Sequence, residues 1–201
     1  MTPKEVLALC KSKNVQLVDV KFCDFLGTWQ HFCMPIAELE EEVFEAGLGF
    51  DGSSIRGWKS IEASDMLLLL DPNTAIIDPF PQVTTLSIVA DAVDTMTHEP
   101  YSRDPRNVAR KAVAYLKSTG IADTAYMGPE AEFFVFDDIR FGQTANSGFY
   151  YLDSNEGVWN TGREEFPNLG NKIRHKEGYF PVAPQDTQVD LRNEMIMVMK
   201  Q

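Results

Sequence analysis

The sequence predicts an α+β protein, and three observations predict it. Short apolar–polar alternations recur over roughly the first hundred residues, broken by glycine and proline rather than by long helices. A single short helical pattern, Lys4 to Ser12, precedes them. A capped helix then begins at Asp104–Pro105, followed by further strand-like segments. A small mixed sheet crossed by one helix is the natural product of that order, with a second unit after it.

Val15 to Asp24, "VQLVDVKFCD", alternates; "LGT" turns the chain and "WQHFCMP" returns, which predicts a hairpin. Ile36 to Ala46 reads as an acidic helix in which Glu38, Glu40, Glu41, Glu42 and Glu45 surround Leu39, Val43 and Phe44. "GLGFDGSSIRGW", Gly47 to Trp58, has four glycines in twelve residues and is expected to be irregular. Met66–Asp71 and Thr85–Asp91 read as strands, separated by turns at Pro72, Pro79 and Pro81.

In "EPYSRDPRNVARKAVAYLKSTG", Asp104 fits an N-cap, Pro105 the first helical position and Gly120 the position past the end. Val108, Ala112, Tyr115 and Leu116 share one face, so this helix is expected to pack on a neighbour. The domain boundary is placed here: residues 1–104, then 105–201. "SGFYYLDSNEGVWN" reads as a hairpin. Thr161 to Gly178 has little periodicity, and a last helix begins near Gln185 with Val189, Arg192, Ile196 and Met199 in one row. That helix runs to "VMKQ" without a capping glycine, and the chain is expected to be a piece of a longer polypeptide.

Composition narrows the function classes. The chain of 201 residues is 44% hydrophobic and 24% charged, with 30 acids against 18 bases and a net charge of −12. An acidic surface repels phosphate backbones, so nucleic acid is not the expected partner. The longest apolar run, Met66 to Leu70, is too short for a membrane span. Cys10, Cys23 and Cys33 form no CxxC pair and are read as reduced, buried thiols of a cytoplasmic protein; a pairing of Cys23 with Cys33 across the hairpin is the alternative.

Three stretches carry chemistry. "GPEAEFFVFDD", Gly128 to Asp138, reads as a strand in which Glu130, Glu132, Phe134 and Phe136 share a face. Two carboxylates roughly 7 Å apart repel unless a cation lies between them. An ion pair with lysine or arginine satisfies that need; so do divalent ions such as Mg²⁺ or Mn²⁺, which prefer carboxylate oxygens. In "FDGSSIRGW", Asp51 offers a carboxylate for a cation, with Ser53 and Ser54 as hydroxyl partners; a tight turn needing glycine is the plainer reading. In "GYFPVAP", Tyr179 closes a long loop and brings a phenol, though such a stretch is also an ordinary rigid connector.

Together, "FDGSSIRGW", "EPYSRDPRN", "GPEAEFFVFD" and "GYFPVAPQD" with "DLRNEM" resemble type I glutamine synthetase, the glutamate–ammonia ligase. Order and spacing match along the whole chain, and "STGIADTAY" and "IRHKEGYFPVAP" are similar to bacterial members. The resemblance implies a β-grasp-like N-terminal domain and the beginning of a catalytic domain, a curved antiparallel sheet with flanking helices. It implies that Glu130 and Glu132 each bind one of two divalent ions, Mg²⁺ or Mn²⁺, with Glu132 at the ion nearer glutamate and Glu130 at the ion nearer the transferred phosphate. It implies that Asp51, Ser54 and Tyr179 form the ammonium pocket, with Asp51 attracting NH₄⁺ and taking its proton. ATP, glutamate and ammonium are the implied substrates. Self-association into a double six-membered ring, with sites between subunits, is implied as well.

Members of the family are more than twice this length. The nucleotide pocket, phosphate-clamping arginines and remaining metal ligands are expected mostly beyond Gln201, and the 201-residue chain alone is expected to form no glutamine. Two other readings remain: a sister ligase joining glutamate to a larger amine, and a non-catalytic subunit that assembles with longer chains.

Overall fold

The computed structural model describes residues 1–160 and 170–200, which fall into two compact units, Met1–Met127 and Gly128–Gln201. The first is built on a mixed sheet. Helix α1, Pro3–Ser12, opens with a capping box: Thr2 Oγ1 accepts from the Glu5 amide while the Glu5 carboxylate accepts from the Thr2 amide at 2.7 Å. Its buried residues Val6 and Cys10 join the core. Strands β1, Leu17–Cys23, and β2, Trp29–Pro35, form the expected hairpin; Asp24 closes its turn by accepting from the amides of Leu26 and Thr28. The register sets Cys23 opposite Trp29 and Cys33 opposite Asp19, so the two thiols do not face each other. Cys33 is exposed rather than buried, because it lies on the outer face of β2, where alternate residues are exposed.

The acidic stretch departs from expectation. Ile36 to Ala46 is a 3₁₀ turn at Ile36–Glu38 and a single helical turn α2, Val43–Ala46, not one helix. Glutamates three and four apart repel along a helix, and only Leu39 and Phe44 are buried to oppose that. The glycine-rich stretch is also more regular than its composition implies. Leu48–Asp51 is strand β3, paired antiparallel with β4, Asp65–Leu70, with Gly49 opposite Leu67. Backbone pairing at the sheet edge supplies the order that side chains there do not.

Strand β5, Ile76–Asp78, pairs with the long strand β6, Thr85–Asp94. The sheet order is β2-β1-β6-β4-β3, with β1 and β6 parallel and β5 beside β6. Strand β6 is almost wholly buried, as a central strand should be, and Leu86 and Ile88 meet Val18, Val20, Met66 and Leu68 in the core. Each such side chain contributes about 1.5–3 kcal/mol on leaving water.

Helix α3, Pro105–Ser118, starts where its signals place it. Buried Asp104 caps it, one carboxylate oxygen accepting from the Arg106 amide at 2.9 Å and the other from the Ala92 amide at 3.0 Å. Burial pushes the Asp104 carboxyl up despite those two donors. The helix is fastened by charge: Arg106 bridges Asp71 at 2.6 Å and Asp91 at 3.0 Å, and Arg110 also reaches Asp91. Its expected packing face is not covered within this unit, since Val108 and Tyr115 are exposed. The fastening is polar and confined to the first turns, so the apolar face needs no partner to hold the helix in place.

The second unit contains the hairpin β7, Asp138–Gln143, and β8, Gly148–Asp153, and helix α4, Val189–Met199. Gly128 to Phe136 is not a strand, contrary to its alternation. A strand exists through its ladder, and no described strand pairs with this one. The alternation survives locally: Phe134 and Phe136 stack with centroids 5.8 Å apart. Around the hairpin, Arg140 lies over the Tyr151 ring, 4.4 Å from its centroid. The long loop expected over Thr161 to Gly178 falls partly outside the described residues. No described helix is long and apolar enough to cross a membrane.

Candidate functional site

Asp51 ends β3, and its side chain organises the turn that follows. Oδ1 accepts from the Ser53 amide at 2.8 Å and from Ser53 Oγ at 2.6 Å; Oδ2 accepts from Ser54 Oγ at 2.9 Å. The Ser53 hydroxyl and amide, with Ser54 behind them, hold the exposed carboxyl below the usual carboxylate range. Asp51 therefore stays ionised throughout the physiological range. Each serine gives its only proton to Asp51 and keeps its lone pairs for an N–H donor. An anionic carboxylate ringed by hydroxyl acceptors suits a small cation that carries its own protons.

The turn is held from below. Gly52 is buried, its amide donating to the Ser64 carbonyl at 2.7 Å. A Cβ at this position would lie 2.5 Å from Met66 Sδ and 2.9 Å from Met66 Cγ, and Met66 is fully buried. Gly52→Ala is expected to destabilise the first unit by about 1–3 kcal/mol through overpacking, read as a lowered midpoint in denaturant melts. The turn's far side is pinned by Trp58, which packs on Phe22, Phe50 and Tyr101 with centroids 5.1–6.0 Å away. The Tyr101 hydroxyl donates to the Trp58 carbonyl at 2.7 Å, and Arg103 donates to the Gly57 carbonyl.

Glu130 and Glu132 lie in the second unit, both exposed, on the unpaired segment before β7. Neither has a lysine or arginine within ion-pair distance among the described residues, so the ion-pair reading of the two glutamates finds no partner there. As hard, unshared oxygen donors two residues apart, they fit a divalent ion of the Mg²⁺ class; such an ion takes six or more oxygens, so two carboxylates are part of a shell. Tyr179 is 93% exposed and lines an open cleft of ≈ 480 Å³ with Glu156, Gly178, Asp186 and Arg192. Asp51 and Ser54 are thus in direct contact, while Glu130, Glu132 and Tyr179 belong to the other unit. The Asp186–Arg192 fork, 3.1 Å in one arm, and Glu156, which accepts from the Thr187 amide and hydroxyl at 2.7 Å each, escaped sequence reading. Asp186 precedes α4 and Arg192 lies within it, so the contact joins a loop to a helix and no single period marks the pair.

A family model described as the glutamine synthetase β-grasp domain matches residues 14–95, and one described as the glutamine synthetase catalytic domain matches residues 102–201. The chain belongs to the glutamine synthetase family. The β-grasp match lies within the first unit, and the match to the start of the catalytic domain begins before α3. Glutamine synthetase of Microchaete diplosiphon is 58% identical over 198 residues, which is 98% of this chain and 42% of that protein. Glutamine synthetases of Aquifex aeolicus and Mycobacterium tuberculosis are 55% and 56% identical over 98% and 97% of the chain. The chain spans about 42% of the length of these relatives. Among solved structures, Plasmodium falciparum glutamine synthetase, determined by cryo-EM, superposes over 100% of this chain and 40% of its own with a TM-score of 0.81. At 22% identity, that likeness speaks for the fold alone.

Proposed function

We propose that residues 1–201 are the N-terminal part of a glutamate–ammonia ligase, supplying its ammonium pocket and part of its metal shell. The observation that carries the reading is the Asp51 turn, a carboxylate held ionised by two serines whose lone pairs remain free to accept from a protonated cation. The same residues sit in a chain whose relatives are named glutamine synthetase. Exposed aromatic surface in the second unit, Phe133, Phe134, Phe141, Phe149 and Tyr150, fits a catalytic domain completed by further chain. The functional boundary is placed at 104/105, with α3 counted in the catalytic portion.

In this reading Glu130 and Glu132 hold Mg²⁺ or Mn²⁺, which supplies charge neutralisation for phosphoryl transfer from ATP. The γ-carboxylate of glutamate attacks the γ-phosphorus of ATP, ADP leaves, and the product is γ-glutamyl phosphate. Asp51 draws NH₄⁺ into the pocket, and Ser54 and Tyr179 accept its N–H groups. One ammonium proton passes to Asp51, the nitrogen attacks the acyl carbon, and phosphate leaves with the bonding pair and takes up the second proton that the nitrogen sheds. A depressed carboxyl is a weak base: against an ammonium of pKa about 9 the transfer is unfavourable by roughly a hundred-thousandfold or more. Deprotonation must therefore be coupled to attack, which consumes the ammonia as it forms. Assembly into rings and residence in the cytoplasm, where ATP and reduced thiols are found, belong to the same proposal.

The test joins residues 1–201 to the remaining C-terminal portion of the Microchaete diplosiphon relative. The completed chain is expected to form glutamine, ADP and phosphate from glutamate, ammonium and ATP. Reaction with methylamine in preference to ammonium would favour a sister ligase, and assembly without turnover would favour a non-catalytic subunit; either overturns the reading.

A further inference from the structure

On the outer face of the β1–β2 hairpin, away from the core, Asp19, His31 and Cys33 converge on one point. His31 Nδ1 lies 2.6 Å and Cys33 Sγ 3.4 Å from the same Asp19 oxygen, Oδ1. The sheet register produces this: Cys33 stands opposite Asp19, and His31 opposite Lys21, so all four side chains share one face of a ladder. We propose that Asp19, His31 and Cys33 form a binding site for a borderline-soft divalent ion of the Zn²⁺ type, separate in place and in donor chemistry from the glutamates.

The donors are the set such ions select. Thiolate, imidazole and one carboxylate suit Zn²⁺ or Co²⁺, whereas Mg²⁺ prefers oxygen alone. The distances are close to those required. With Zn–S of about 2.3 Å and Zn–N and Zn–O of about 2.0 Å, a tetrahedron has an S–O edge of about 3.5 Å and an N–O edge of about 3.3 Å. The existing S–O separation of 3.4 Å already matches. The His31 nitrogen needs to move out by well under 1 Å, and the ring is free to do so, its side chain being 61% exposed. The three donor atoms lie within 4.8 Å of one another without any backbone change. Three protein donors leave a fourth position for water.

The local charge also balances. Lys21 Nζ lies 3.3 Å from both Asp19 Oδ2 and Asp78 Oδ2, occupying the carboxylate oxygen that the metal does not use. Two carboxylates and a thiolate then face one ammonium and one divalent ion, summing to neutrality. Binding displaces the Cys33 thiol proton to solvent and leaves His31 neutral, with its other nitrogen turned outward.

Co²⁺ titration of the reduced 201-residue chain tests this without reference to activity. One equivalent is expected to bring up a thiolate-to-cobalt charge-transfer band and intense tetrahedral ligand-field bands, which one equivalent of Zn²⁺ abolishes and a large excess of Mg²⁺ does not. Cys33→Ser is expected to remove the charge-transfer band, and Cys23→Ser to leave it. His31→Asn is expected to weaken binding at least as much as the roughly tenfold that follows loss of a ligand's own hydrogen-bond partner. Both replaced ligands are exposed, so neither change threatens the fold. Absence of the band in the unaltered chain, its survival in Cys33→Ser, or displacement by Mg²⁺ would each overturn the proposal and leave the trio as a hydrogen-bonded clasp.

Discussion

Replacing Glu130 or Glu132 by alanine in the completed chain is expected to lower glutamine formation by roughly 100-fold or more, with different signatures. Each loses a hard oxygen donor from a shell that needs several, and outer partners of metal ligands alone are worth about 10–100-fold. If Glu132 serves the ion nearer glutamate, Glu132→Ala raises the KM for glutamate. If Glu130 serves the ion nearer the transferred phosphate, Glu130→Ala acts mainly on kcat, and excess Mn²⁺ restores part of it. Steady-state kinetics over a range of metal concentrations distinguishes the two. The exposed setting of both side chains makes a folding explanation easy to exclude by thermal melts of the variants.

Trp58→Ala is expected to be the most destabilising single change in the first unit, by about 3–5 kcal/mol. Trp58 is 4% exposed and lies between Phe22, Phe50 and Tyr101, so its removal leaves a cavity where three rings meet. Its Nε1–H has no hydrogen-bond partner among the described residues, which makes the indole a source of packing rather than polar stabilisation. Trp58→Phe, which removes that donor with less volume, is accordingly expected to cost much less than Trp58→Ala. Denaturant unfolding gives both values. The consequence reaches the site, because Trp58 anchors the end of the turn that Asp51 begins, and its amide donates to the Ile55 carbonyl at 3.1 Å.

What could be read in advance followed local rules. The Lys4–Ser12 helical pattern, the Asp104–Pro105 helix start, the β1–β2 hairpin and the cores of β4 and β6 each follow from periodicity, alternation or capping, which short windows contain. What escaped depends on partners distant in sequence. Gly47 to Asp51 carries no strand signal, and β3 forms because β4 offers it a ladder. Gly128 to Phe136 carries a strong strand signal, and no described strand offers it one. Glutamate repulsion outweighed the thin apolar stripe between Ile36 and Ala46. At the site, Asp51 with its serines was legible because the contact is local, two and three residues along. The Asp19–His31–Cys33 convergence was not, since it follows from register across a hairpin and no short window displays it.

The dependence of glutamine formation on ammonium concentration in the Asp51→Asn completed chain is the most direct measurement of the pocket. Asparagine keeps the shape and removes the charge that draws the cation in, and the depressed carboxyl means that the unaltered enzyme keeps that charge well below neutral pH. The KM for ammonium is expected to rise at least tenfold, while γ-glutamyl phosphate still forms and is seen as ATP turnover without matching glutamine. An unchanged ammonium dependence would contradict the assignment of Asp51, Ser54 and Tyr179 as the ammonium pocket.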